Sequence, residues 1–158
     1  PRQDLRHGIA DRGERGEERR TKVSKGEEYT LMTLCSILKS PLMYGGDLPT
    51  LDKFTLSLLT NRAVLNMHRN SFDVRQIILA DDKVAITSKS PVRGATYLAL
   101  FNMSDKDGVD VSINLKDLKI YKKNVRVYNL WNGRNNMNHG HKVTRVLPKH
   151  GSVLLMLR

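Results

Sequence analysis

One cysteine, Cys35, stands alone in 158 residues, which excludes an intrachain disulfide and any CxxC metal-ligand pair. It lies between apolar neighbours in a helical pattern, where a lone thiol reads as a small buried hydrophobe and not as a nucleophile. Long apolar runs are also missing, so no stretch has the length of a membrane span or a signal-peptide core. The compartment stays open on these grounds. Neither a Gly-x-Ser-x-Gly elbow nor a phosphate-cradling glycine loop occurs. Length excludes more: an eight-stranded α/β barrel needs roughly 250 residues, so this chain cannot contain a complete one.

Carboxylates are scarce. There are 16 Asp+Glu against 27 Lys+Arg, a net charge of +11. From Tyr121 to Arg158 no Asp or Glu appears, while Lys122, Lys123, Arg126, Arg134, Lys142, Arg145, Lys149 and Arg158 do. Such an excess raises the local concentration of a polyanion such as nucleic acid or an acidic glycan. The plainer reading is the solvated face of a sheet, since these charges alternate with Val125, Val127, Val143, Val146 and Leu154; it is preferred here over nucleic-acid binding. His139, His141 and His150 raise a metal question. The text from Asn135 to Gly140 reads as a hairpin loop, so solvated histidines are preferred to a zinc site, and no cofactor is implied.

Two halves differ in period. Ser24 with Glu27 three residues on has capping-box spacing and opens a helix whose apolar stripe is Leu31, Leu34, Cys35 and Leu38, with Pro41 ending it. Leu42 to Tyr44 reads as a short strand, Gly45-Gly46 as a turn, and positions 51, 54, 58 and 59 as one face of a second helix. Asn61 to Leu65 begins a third. From Ser71 the pattern shifts to seven short strands: 74–79, 84–87, 96–102, 109–115, 125–131, 142–147 and 152–157. Turn signals such as Asp81-Asp82 and His150-Gly151 separate them. Seven tightly joined strands predict an antiparallel sandwich. The expected division is therefore 1–70 and 71–158.

In α/β folds the loop leaving a strand's carboxyl end faces the ligand, which points to Tyr44 and Asp47. Asp47 has a competing and preferred reading as the N-cap of the following helix, just ahead of Leu48-Pro49. Trp131 reads as a core or interdomain aromatic. The acidic residues at 11, 14, 17 and 18 sit in a charged loop with no apolar pocket to raise a pKa.

SPLMYGGDL followed by LDKFTLSLLTNRAVL resembles the last strand and helix of the barrel in family 27 glycoside hydrolases, the α-galactosidase and α-N-acetylgalactosaminidase family. EEYTLMTLCSILK resembles the helix before that strand, and RGERGEER the loop before the helix. YLALFNMSD and VRVYNLWNG resemble the family's carboxyl-terminal β domain.

The resemblance implies an α+β fold: a carboxyl-terminal piece of a (β/α)8 barrel, its last strand and flanking helices, followed by an antiparallel β-sandwich. It implies partners as well, namely the missing upstream barrel, in the same or a separate chain, and in the intact enzyme an α-galactoside glycan. A retaining glycosidase uses two carboxylates about 5–5.5 Å apart. The family's pair lies on earlier strands, so this chain lacks both and is expected to be inactive alone. In the family a pocket Asp precedes the charged loop. Ungapped alignment puts Arg2 there, and a short deletion brings it onto Asp4; with Tyr44 and Asp47 this completes the expected pocket rim. A second departure is Met67 to Asn70, where the family usually has Ile-Asn-Gln-Asp-like text. The alternatives are a non-enzymatic basic sandwich that binds acidic glycan or another polyanion, and a degenerate gene remnant.

Overall fold

Residues 11–12, 18–19, 23–45, 49 and 51–158 are described by the structure, a computed structural model. Within the charged amino-terminal stretch, β1 (Asp11–Arg12) pairs antiparallel with β2 (Glu18–Arg19). Three helices follow, α1 (Lys25–Ile37), α2 (Lys53–Leu59) and α3 (Arg62–Asn70).

The capping box of α1 is present in full. The Glu27 amide donates to Ser24 Oγ at 3.3 Å and the Ser24 amide to Glu27 Oε2 at 2.8 Å, so each side chain satisfies an otherwise unpaired N–H. The helix ends at Leu38, and Lys39 turns left-handed with φ 57°. Its ammonium donates to the carbonyls of Arg69 and Ser71 at 3.2 and 2.5 Å, placing positive charge at the carboxyl end of α3.

Eight strands form the rest: β3 (Phe72–Ala80), β4 (Lys83–Lys89), β5 (Thr96–Asn102), β6 (Val109–Asn114), β7 (Asn124–Asn129), β8 (Asn135–His139), β9 (Lys142–Leu147) and β10 (Ser152–Leu157). Six of them make an antiparallel sheet in the order β3-β4-β5-β10-β7-β8, and β6 pairs with β9 in a second, two-stranded sheet. A 3₁₀ turn, Leu115–Leu118, leads out of β6.

The molecule is layered, and the period of 2 explains how. Leu98, Leu100, Leu155, Leu157 and Val127 point to one face, where Val111, Ile113, Val143 and Leu147 of the small sheet cover them. Tyr97, Ala99, Phe101, Leu154 and Ile86 point to the other face, against Ile37 of α1 and Val64 and Met67 of α3. Covering on both faces is why β5 and β10 read as nearly continuous apolar runs. Each fully buried side chain of the size of Phe101 or Leu154 contributes roughly 1.5–3 kcal/mol, against about 1 kcal/mol for a helix cap. Packing on the sheet, more than capping, therefore holds the helices.

Four expectations need correction. Leu42–Tyr44 is extended but is not a strand, because no strand among the described residues offers it a ladder. The N-cap of α2 is Asp52, whose Oδ1 accepts from the amides of Phe54 and Thr55 at 2.8 and 3.1 Å; Asp47 stands too far upstream and itself lies outside the described residues. Residues 135–139 are not loop. They form the polar edge strand β8, where pairing with β7 overrides the weak strand propensity of asparagine. The buried face of α1 also differs from the expected stripe. Met32, Thr33, Cys35, Ser36 and Ile37 are buried, Leu31 and Leu34 are half-buried and Leu38 is exposed, because α1 is wedged between the sheet and the other two helices.

Candidate functional site

The strand-to-helix pattern pointed to Tyr44 and Asp47, and the family resemblance to Asp4. Asp4 and Asp47 lie outside the described residues, and Tyr44 is half-buried in the extended stretch between α1 and α2. The most developed polar constellation lies elsewhere, in the seam between α1 and the sheet.

His150 occupies the β9–β10 turn in a left-handed conformation, φ 50°, and its carbonyl accepts from the Thr30 hydroxyl of α1 at 2.7 Å. Its ring lies between two carboxylates, with Nδ1 3.4 Å from Glu27 Oε1 and Nε2 3.0 Å from Asp105 Oδ1. Beneath it, Leu31, Leu34, Val84, Phe101 and Met103 line an apolar cavity of about 280 Å³. Tyr44 is not among the lining residues.

Also along α1, the indole N–H of Trp131 donates to Thr33 Oγ1 at 3.0 Å, and its ring lies 4.9 Å from that of Tyr29. The Asn61 side-chain Nδ2, from the start of α3, donates to the Trp131 carbonyl at 3.0 Å. Trp131, read from the sequence as a core or interdomain aromatic, thus joins two helices to the sheet. Asn102 organises the turns next to His150. Fully buried at the end of β5, it donates to the carbonyls of Lys106 and Pro148, both at 2.8 Å, and accepts from the amide and hydroxyl of Ser104 at 3.1 and 2.7 Å. Its side chain fills all four of its hydrogen-bonding sites. Neither Asn102 nor Thr33 carries a motif; only a buried polar position in an apolar run, Leu98-Ala99-Leu100-Phe101-Asn102, hinted at the former.

What can this arrangement do chemically? A glycosidase acid/base needs a carboxyl whose pKa is raised. Glu27, Asp52 and Asp73 are all displaced downward, by contacts that build structure. The Ser24 amide holds Glu27 low, the Thr55 hydroxyl does so for Asp52, and Arg75 followed by Lys89 brings Asp73 to about 2. Burial raises the Cys35 thiol to about 11, away from nucleophilic use. The three histidines do not converge: His139 faces Asn124 Oδ1 at 3.0 Å, His141 is exposed in the β8–β9 turn, and His150 is in the seam. No group of three His, Cys, Asp or Glu is placed to hold a metal among the described residues. No helix among them is long and apolar enough to cross a membrane. The seam joins the helices to the sheet.

The α-galactosidase C-terminal β-sandwich domain family matches residues 81–157, from the β3–β4 turn through β10. Alpha-galactosidase D of Emericella nidulans is 27% identical over 135 residues, 83% of this chain and 20% of that protein. Among solved structures, a family 27 β-L-arabinopyranosidase from Geobacillus stearothermophilus superposes with TM-score 0.83 and 38% identity, covering 91% of this chain and 32% of its own. Residues 81–157 belong to the α-galactosidase C-terminal β-sandwich domain family, and the chain is similar to the carboxyl-terminal portion of family 27 enzymes. The α-galactosidase I of Mortierella vinacea shares the fold at 20% identity and TM-score 0.77, with 85% of this chain and 36% of that one aligned.

The chain thus spans about a fifth of the length of the curated relatives it matches and about a third of the solved structures. Because 91% of it superposes on the Geobacillus enzyme, the likeness extends beyond residues 81–157 into the helical layer. The carboxyl-terminal β-sandwich expected from the strand pattern is present.

Proposed function

We propose that this chain closes and braces the catalytic barrel of a retaining α-galactoside hydrolase, with α1 to α3 as the last helical turn of that barrel and the sandwich as its support. The observation that carries this reading is the seam. Three helices that do not form a self-contained bundle are fixed to the sheet through Trp131, Thr33, Asn61, Thr30 and His150, while the displaced carboxylates all serve structure. Asp4, Tyr44 and Asp47 belong at the rim of the sugar pocket in this reading. Its support is the order of the stretches that resemble the barrel end, from RGERGEER through SPLMYGGDL.

The reading is tested with 4-nitrophenyl α-D-galactopyranoside. The chain alone gives no release, and supplying the upstream barrel, covalently or as a second chain, restores turnover; no release with the barrel present overturns the proposal. A second substrate is favoured by the 38% identity to the β-L-arabinopyranosidase. β-L-Arabinopyranose has the ring stereochemistry of α-D-galactopyranose without its exocyclic CH₂OH, so the matching arabinopyranoside belongs in the same assay. The ratio of kcat/KM values identifies the preferred sugar.

A further inference from the structure

One end of the sandwich, away from the helical seam, holds a cleft of about 640 Å³. It opens between the β4–β5 turn, the segment leading from the 3₁₀ turn to β7, and the end of β10. Its floor is apolar, made by Leu118, Ile120, Val125 and Leu157, and its rim is cationic, made by Lys89, Lys119, Lys122 and Arg158. No Asp or Glu lines it. Lys89 is already engaged by Asp73 at 2.7 Å, whereas Lys119, Lys122 and Arg158 have no carboxylate partner among the described residues.

Two further observations mark this cleft as more than a gap between sheets. Tyr121, on the same rim, is 76% exposed, and its hydroxyl has no hydrogen bond among the described residues. Lys119 sits at φ 57°, a left-handed position that glycine or asparagine fills with less strain. The comparable Lys39 has a structural reason, since its ammonium binds two carbonyls at the end of α3. Lys119 has no such contact among the described residues, and its charge is left on the rim.

We infer that this cleft binds an acidic oligosaccharide, a uronate-bearing chain whose carboxylates meet Lys119, Lys122 and Arg158 while one pyranose ring stacks on Tyr121. A pyranose presents an apolar C–H face and a polar edge, which suits an aliphatic floor beneath a charged rim, and the volume is that of a small-ligand site. Lysine ammoniums act as point charges and accept carboxylates from many directions. Nucleic acid fits less well, because single-strand binding uses successive stacking platforms and this rim has one exposed ring.

The experiment titrates the full chain with tetragalacturonate at low salt, by calorimetry and by amide chemical shifts, beside a neutral galacto-oligosaccharide of equal length and an oligothymidylate of equal charge. The uronate is expected to bind, to shift amides at 89–96 and 118–125, and to weaken as salt rises; the neutral sugar is not. Lys119→Glu with Lys122→Glu is expected to weaken binding by about tenfold or more, and Tyr121→Ala by about three- to tenfold. Lys123→Glu makes the same kind of charge change outside the cleft and is expected to leave affinity unchanged. All these side chains are exposed, so unchanged circular dichroism confirms an intact fold. Equal binding of the neutral sugar, an equal loss with Lys123→Glu, or tighter binding of oligothymidylate would each overturn the inference. None of these outcomes depends on galactosidase activity.

Discussion

Asn102 shows how a single side chain can hold the turns of this sandwich. Its four hydrogen bonds tie the segment after β5 to the turn before β10, and its burial is complete. Asn102→Ala leaves the carbonyls of Lys106 and Pro148 without this donor in a site closed to water, a loss of roughly 2–4 kcal/mol. Urea denaturation checks this: the midpoint should fall with the slope unchanged. Asp73 offers a residue-scale test of pH dependence. It adopts φ 53° and is bound by Arg75 at 2.8 Å and Lys89 at 2.7 Å, which bring its pKa from the ordinary 3.8 to about 2. A depressed carboxylate contributes stability that is present above its unfolded value and lost as pH falls through the folded one. Stability should therefore decline between pH near 4 and pH near 2, and Asp73→Asn should remove part of that decline in urea midpoints measured across the range.

Among the elements, α1 is the one whose start was fully legible and whose partners were not. Ser24 and Glu27 lie three residues apart, so the capping box could be read without knowing the fold. The buried face could not, because α1 packs on the sheet on one side and on α2 and α3 on the other, and a stripe read by helical period assumes one partner. Likewise β8 was hidden, since its asparagines pair only because β7 presents an edge. The seam makes a prediction at this scale. Trp131→Phe keeps the ring against Tyr29 and removes the N–H bonded to Thr33, a change of about 1 kcal/mol. Trp131→Ala removes both and costs about 3 kcal/mol. Hydrogen exchange should quicken selectively at α1 amides in both variants, more in the second, while β5 and β10 stay protected. Uniform acceleration would mean that α1 does not open separately from the sheet.

At the scale of the whole molecule, local order and long-range contact separate what was readable from what was not. The sequence by itself determined the shift from helical to strand period near residue 71, seven of the strands, the caps at Ser24 and the hairpin turn at Asp81-Asp82. Each depends on residues a few positions apart, whose backbone preferences and spacing act before any tertiary contact forms. The family resemblance was legible for a related reason, since several strings match in order along the chain. Tertiary structure alone decided how the layers join. Thr30 meets the carbonyl of His150 across 120 positions, and Thr33 meets Trp131 across 98. It also brought Lys119, Lys122 and Arg158 to one rim from two separate segments. No period or motif encodes such meetings, because they arise only when the sheet's register places distant turns at the same end of the fold.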